Sequence, residues 1–198
     1  MSSEIVFEYA LWVLIGLMVL MRVGFSINVW RAGERLMPDH EAIEREGRWV
    51  VALRAAGFAL LVALVALALR HRLGLLSIPL PTWLRWAGVA LGFASLGLWT
   101  WTHAVLGRFW SAQLQLRGSH QLVTEGPYSR VRHPMYTAIL AWIVSLGLVA
   151  ANGAPLLFAV LFAAFVAARV SREERMMLDR FGNEYRDYMG RTGRFLPV

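Results

Sequence analysis

The residues with the richest chemistry sit in one run of seventeen, His120 to Tyr136, which reads HQLVTEGPYSRVRHPMY. It holds two His, two Tyr, two Arg, a Glu and two Pro, and an apolar stretch follows at once. Pro134 suits the first position of a helix, where its missing N–H costs nothing and its φ is already helical. His133 would then stand at the cap. The unbonded N–H groups from Met135 onward would point back into the loop, a place that attracts a carboxylate or a phosphate. The plainer reading of His133 is a capping residue and nothing more. Gly126-Pro127-Tyr128 signals a turn, after which Tyr128 would either stack on a flat ring or anchor at a membrane interface. Arg130 and Arg132 alternate along the chain, so ligand contact and lipid-headgroup contact stand level for them. Gln113 and His120, taken alone, read as surface polar residues.

A second group follows later in the chain. Arg169 and Glu173 are four apart and share a helix face. The bland reading is a surface ion pair, but an Arg that precedes its Glu is the weaker orientation for one, which tilts the pair toward a ligand. Glu173-Glu174 would accept hydrogen bonds from an amino group or a ribose, or would simply be solvated. No His pair has ligand-like spacing on one helix and Cys is absent, so no metal site is expected.

These groups need a scaffold, and composition points to a membrane one. Hydrophobic residues make up 58 % and charged ones 17 %, against roughly 45–50 % and 25 % in a soluble domain. Apolar stretches cover residues 5–21, 49–69 and 83–106. A cleaved signal peptide fits the first poorly, because Glu4 makes its leading segment acidic and no small-residue cleavage site follows. Residues 22–48 read as a polar loop, Arg54 as a snorkelling side chain, and Arg70 to Pro81 as a short connection. Gly88 and Gly92 form a small-xxx-small pair that would let another helix come close. Two further apolar runs, 137–150 and 155–168, flank Ala151-Asn152-Gly153-Ala154. Each is ~14 residues or about 21 Å, short for a full crossing, so they form a tight hairpin that either tilts in a thinned bilayer or re-enters. Its second arm continues as an amphipathic helix from Arg169 to about Phe181. The tail after it, with Tyr185, Tyr188 and Phe195 among charges, reads as an interface-hugging segment.

The expected fold is therefore all-α: one polytopic integral membrane domain over 1–198 with about five transmembrane helices. Residues 1–106 supply three spans and residues 107–198 carry the site, formed by the loop before the hairpin and the C-terminal helix. All 20 basic side chains are Arg, and 16 of them lie in the 22–48 loop, the 107–136 loop and the segment from 169. By the positive-inside rule those segments are cytosolic and the N-terminus is outside. The net charge of +7 is explained by this topology and by anionic headgroups, and no nucleic-acid partner is expected. The absence of Lys removes Schiff-base chemistry. No GxGxxG follows a strand and no GxxxxGK[ST] occurs, which excludes a Rossmann nucleotide site and a P-loop.

The motifs His120-x-Leu122-Val123-x-x-Gly126-x-Tyr128, Arg132-His133-Pro134-x-Tyr136, Glu173-Glu174 and Phe181-Gly182-x-Glu184-Tyr185-x-x-Tyr188, in this order, resemble the isoprenylcysteine carboxyl methyltransferase family. The likeness is to its short five-span prokaryotic members and covers residues 95–198 by motif. It implies an integral membrane enzyme that uses S-adenosylmethionine without a Rossmann fold. It further implies cofactor binding by Gln113, His120, Gln121, Leu122, Val123, Tyr128, His133, Pro134, Met135, Tyr136 and Glu173 or Glu174. Arg169 would contact the substrate and, with Glu173, carry the reaction. The implied acceptor is lipidic, most simply the carboxylate of an isoprenylcysteine-like group. The alternatives are a phospholipid amine or other small membrane acceptor, or an NADPH-dependent membrane reductase, whose C-terminal half is similar.

Overall fold

The computed structural model describes residues 3–31, 56–57, 59–60, 63, 76–106 and 122–198. Five α-helices lie among them: α1 (Ser3–Arg31), α2 (Thr82–Leu106), α3 (Pro134–Ala150), α4 (Gly153–Phe181) and α5 (Asn183–Arg191). A 3₁₀ turn at Gly126–Ser129 precedes α3. Among the described residues there is no strand, and two isolated bridges, Ser77 with Asn152 and Val131 with Gly193, are the extended pairing present. The all-α, polytopic expectation holds: Ser3–Asn28, Thr82–Leu106 and Gly153–Phe181 are long and apolar enough to cross a bilayer, and α3 adds a shorter apolar helix of 17 residues.

The first helix runs ten residues past the polar boundary expected at Arg22. Val23, Phe25 and Ile27 keep that extension apolar, and no Pro interrupts it. Phe25 packs edge-on against Trp99 of α2, with ring centroids 5.4 Å apart. At the other end Glu4 meets Arg85. Helices α1 and α2 thus run in the same direction, so the chain leaves Arg31 at one end and re-enters at the other. The span expected at 49–69 lies mostly outside the described residues, as does Arg54.

Helix α3 returns antiparallel to α2. Gly88 and Gly92 make this approach possible: a Cβ on Gly88 would fall 2.7 Å from Leu148 Cβ, and one on Gly92 2.7 Å from Leu14 Cδ1 and 3.0 Å from Ser145 Oγ. The glycine pair therefore serves contacts within the chain. Phe7, Leu11 and Leu14 of α1, Val89 and Leu96 of α2, Trp142, Ile143, Leu146 and Val149 of α3 and Phe158 of α4 fill the common core. Arg85 closes one end, where it donates to the Val149 carbonyl at 3.1 Å and to Glu4, with its guanidinium 3.9 Å from the Phe7 ring centre. An arginine in this apolar setting is tolerated because a carboxylate, a carbonyl and a π face surround it.

The hairpin between α3 and α4 is turned by Ala151, in left-handed backbone at φ 49°, and by Asn152, whose side chain caps α4 through Ala154 N at 2.9 Å. Ile78 N donates to Ala151 O at 2.8 Å, so the segment leading into α2 is fastened to this turn. Exposed Trp83 and Trp86 sit near one end of α2 and exposed Trp101 near the other. Trp83 and Trp101 are about 27 Å apart along the axis, close to the hydrocarbon thickness that aromatic belts bracket.

Candidate active site

The site lies at the end of the bundle opposite the hairpin turn, where α4 rises beyond its apolar part and passes the start of α3. Pro134 is the first residue of α3 and His133 its cap, but His133 makes no side-chain capping bond. Its ring reaches α4 instead: Nδ1 is 3.7 Å from Glu173 Oε2 and Nε2 is 3.4 Å from Glu174 Oε1. Tyr136, in the first turn of α3, donates from its hydroxyl to Glu173 Oε1 at 2.7 Å. Arg169 Nε, one turn before Glu173, lies 2.6 Å from the same hydroxyl and 2.7 Å from the same carboxylate oxygen. The Arg169–Glu173 spacing is thus a real pair, buried on the arginine side and tied across to α3 through Tyr136.

The two adjacent carboxylates have different surroundings. Glu174 is 4 % exposed and saturated: Arg132 Nε donates to Oε1 at 3.0 Å, Arg194 Nε reaches it at 3.2 Å, and an Arg194 Nη2 bond takes Oε2. Glu173 keeps a side chain 20 % exposed, and its Oε2 faces the His133 ring from 3.7 Å. Glu174 is built in; Glu173 is presented.

The turn that leads into α3 is held by its own geometry. Gly126 takes φ +55°, and a Cβ there would lie 2.8 Å from Val105 Cγ2 of α2. Tyr128 is buried against this turn, and its carbonyl accepts from Tyr188 Oη at 2.6 Å. Burial, reinforced by the neighbouring Tyr188 and Glu173, pushes the Tyr128 phenol well above the usual tyrosine range, so it stays protonated. Burial likewise pushes Tyr188 up to about 12, against the opposing pull of Arg132 and Arg191.

Two open alternatives, at Arg132 and Tyr128, lose their membrane-facing reading here, and the reading of the tail changes. Arg132 does not reach toward headgroups; it donates to Glu174 and to the carbonyls of Met189 and Thr192. In the tail, Tyr185 and Tyr188 do not face an interface: each is 2 % exposed, because their i, i+3 spacing gives α5 one aromatic stripe that packs inward. Nor is Tyr128 an interfacial anchor. Of the expected site residues, the structure gathers Tyr136, Arg169, Glu173, Glu174 and His133, with Pro134 and Met135 in the same first turn. Leu122 and Val123 are half-buried in the irregular segment before the turn, while Gln113, His120 and Gln121 lie outside the described residues. Arg194 and Thr192 carry no site signal in the sequence, and Phe195 reads there only as part of the tail. The Arg–Phe–Leu–Pro close of the chain carries no spacing signal that ties it to Glu174. Among the described residues no group of three or more His, Asp or Glu could hold a metal ion.

Residues 89–179 match the model of the isoprenylcysteine carboxyl methyltransferase (ICMT) family. A nickel-cobalt-cadmium resistance protein of Alcaligenes xylosoxydans xylosoxydans is 39 % identical over 115 residues, covering 57 % of this chain and 52 % of that protein. Protein-S-isoprenylcysteine O-methyltransferase B of Arabidopsis thaliana is 34 % identical over 94 residues, 46 % of this chain and 48 % of that one. The chain thus spans about half the length of the curated relatives it matches. The solved structure of the eukaryotic intramembrane Ras methyltransferase ICMT superposes with a TM-score of 0.55 at 19 % identity, over 82 % of this chain and 55 % of that one, a likeness of fold.

Proposed function

We propose that the chain, whose residues 89–179 match the isoprenylcysteine carboxyl methyltransferase family, is a membrane methyltransferase. In this reading it takes S-adenosylmethionine from the cytosol and methylates the carboxylate of a lipidic, isoprenylcysteine-like acceptor held in the bilayer. The observation that carries it is the meeting of Arg169, Glu173 and Tyr136 beside the start of α3.

The residue set suits the cofactor. The α3 start offers backbone N–H groups to a carboxylate, and Glu173 offers a partly exposed carboxylate to an ammonium or a ribose. Bound there, S-adenosylmethionine supplies a methyl group on a sulfonium. The protein has little proton chemistry to perform, since an acceptor carboxylate is already ionised near neutral pH. Its work is to position and desolvate. Arg169 Nε, shared by Tyr136 and Glu173, fixes the guanidinium plane, so Arg169 can orient the acceptor's carboxylate in line with the methyl group. Tyr136 sets the distance between the residue that meets the acceptor and the one that meets the cofactor.

Five crossings, with the N-terminus outside and the C-terminus cytosolic, agree with the charge distribution. They also agree with α3 lying beside α2 from Val149 near Arg85 to the turn near Val105. Calorimetric titration of the detergent-purified protein with S-adenosylhomocysteine, and separately with NADPH, tests the proposal. Saturable binding of the first, weakened in Glu173→Ala, supports it. Binding of NADPH alone would move the chain to the reductases.

A further inference from the structure

The last residues of the chain take no part in the chemistry above, yet they are laced into the segment that presents His133. Arg132 N donates to Gly193 O at 2.8 Å, His133 N to Arg194 O at 3.1 Å, and Gly193 N to Arg130 O at 3.0 Å, a short parallel pairing. Thr137 Oγ1, in the first turn of α3, donates to Phe195 O at 2.8 Å, and the Phe195 and His133 ring centres are 6.1 Å apart. The chain then doubles back so sharply that a Cβ on Gly193 would fall 1.7 Å from Leu196 O. This turn carries the Arg194 side chain onto Glu174, the same buried carboxylate that Arg132 grips from the other side.

His133 has no capping bond of its own, so its place at the start of α3 is set from outside. Two supports set it: the backbone pairing with residues 193–194, and the Glu174 carboxylate, which meets its ring and both arginines. We propose that Arg194 and Glu174 are positioning residues, a clasp that straps the C-terminal segment over residues 130–133 and thereby holds the α3 start in the form that binds the cofactor. This rests on the methyltransferase reading. Neither residue touches a reacting atom. Glu174, adjacent to the presented Glu173, serves the pocket through the arginines rather than by touching the cofactor. Arg194 is 43 % exposed at its side chain, so its loss opens the clasp without emptying the core.

The test uses the full-length protein in detergent, with Arg194→Ala and Arg194→Lys beside the wild type. The expected result for Arg194→Ala is a Kd for S-adenosylhomocysteine raised roughly tenfold, the low end of what a hydrogen bond to a charged group is worth. The turnover rate at saturating S-adenosylmethionine stays near wild type, and Arg194→Lys recovers part of the affinity. Hydrogen–deuterium exchange, which needs no cofactor, should rise over residues 130–137 and stay unchanged over 143–149 in the middle of α3. Exchange and affinity both unchanged in Arg194→Ala, on a wild type that binds, overturn the clasp alone. Exchange raised throughout α3 with turnover lost at saturation also overturns it, since that is general loosening. A wild type that binds no S-adenosylhomocysteine overturns the methyltransferase reading and the cofactor role with it, whatever the exchange shows.

Discussion

Removing one oxygen atom, in Tyr136→Phe, is the sharpest test of the site. That hydroxyl lies 2.6 Å from Arg169 Nε and 2.7 Å from Glu173 Oε1, between a cation and an anion on the neighbouring helix. Arg169 and Glu173 keep their direct 2.7 Å contact when it is gone, so the pair itself survives. What disappears is the tie that fixes the pair against α3. A hydrogen bond to a charged group is worth about 1.5–3 kcal/mol, which corresponds to roughly 10–150-fold in kcat/KM if all of it is expressed in the transition state. Phe fills the same volume, so thermal stability should change far less than activity. The assay is transfer of labelled methyl from S-adenosylmethionine to a prenylated cysteine in mixed micelles, with S-adenosylhomocysteine affinity measured in parallel. Unaltered kcat/KM and unaltered affinity would refute the claim that Tyr136 joins the two halves of the site. A loss of activity matched by a collapse of stability would show that the hydroxyl serves the fold.

Four further outcomes are expected. Arg169→Ala should abolish most turnover while largely sparing S-adenosylhomocysteine binding, and a phospholipid-amine acceptor would leave turnover much less affected, so the variant separates the two acceptor chemistries. Gly88→Ala should destabilise by about 1–3 kcal/mol through overpacking against Leu148 and the Val149 backbone, read as a lower midpoint in detergent. Gly97→Ala in the same helix, with nothing near its Cβ, should be neutral or stabilising by up to ~1 kcal/mol. Stability should also fall as pH rises from 10.0, the ordinary tyrosine value, to about 12, where Tyr188 ionises in the fold. The sign follows from proton binding: between those values the folded state holds a proton that the unfolded chain has lost. A melting series on Tyr188→Phe should show a shallower slope in that window.

Much of this arrangement is legible in residue order because it rests on local rules. Pro134 marks a helix start, Ala151-Asn152-Gly153 a hairpin, and Gly88 with Gly92 a close approach, and each needs only its near neighbours to be read. The 22–31 segment misleads because its polar residues alternate with apolar ones, and packing of Phe25 on Trp99 prolongs the helix beyond what a hydropathy boundary shows. Arg132 and Arg194 were harder still. A side chain that finds a carboxylate 42 or 20 residues away follows the tertiary path of the chain, and nothing in its neighbours announces that partner. The distinction between Glu173 and Glu174 is of the same kind. Adjacent on one helix, they point about 100° apart, and only what packs against each face separates the presented carboxylate from the structural one.

The hairpin has a mechanical consequence. Its turn at Ala151 and its polar cluster at Tyr136, Arg169 and Glu173 occupy opposite ends of the same two helices. Tyr136 stands about 22 Å up one arm from Ala151 and Arg169 about 27 Å up the other. The arms act as a pair of levers with a shared fulcrum at the turn, and a splay of about 3° there moves the tips by roughly 1 Å, a displacement that can cost two orders of magnitude in rate. Rigidity at the fulcrum is therefore a demand of the chemistry at the tips. The Asn152 cap, the Ser77 bridge and the bond from Ile78 to Ala151 meet it, although every one of them lies at the opposite end of the helices from the residues they keep in register.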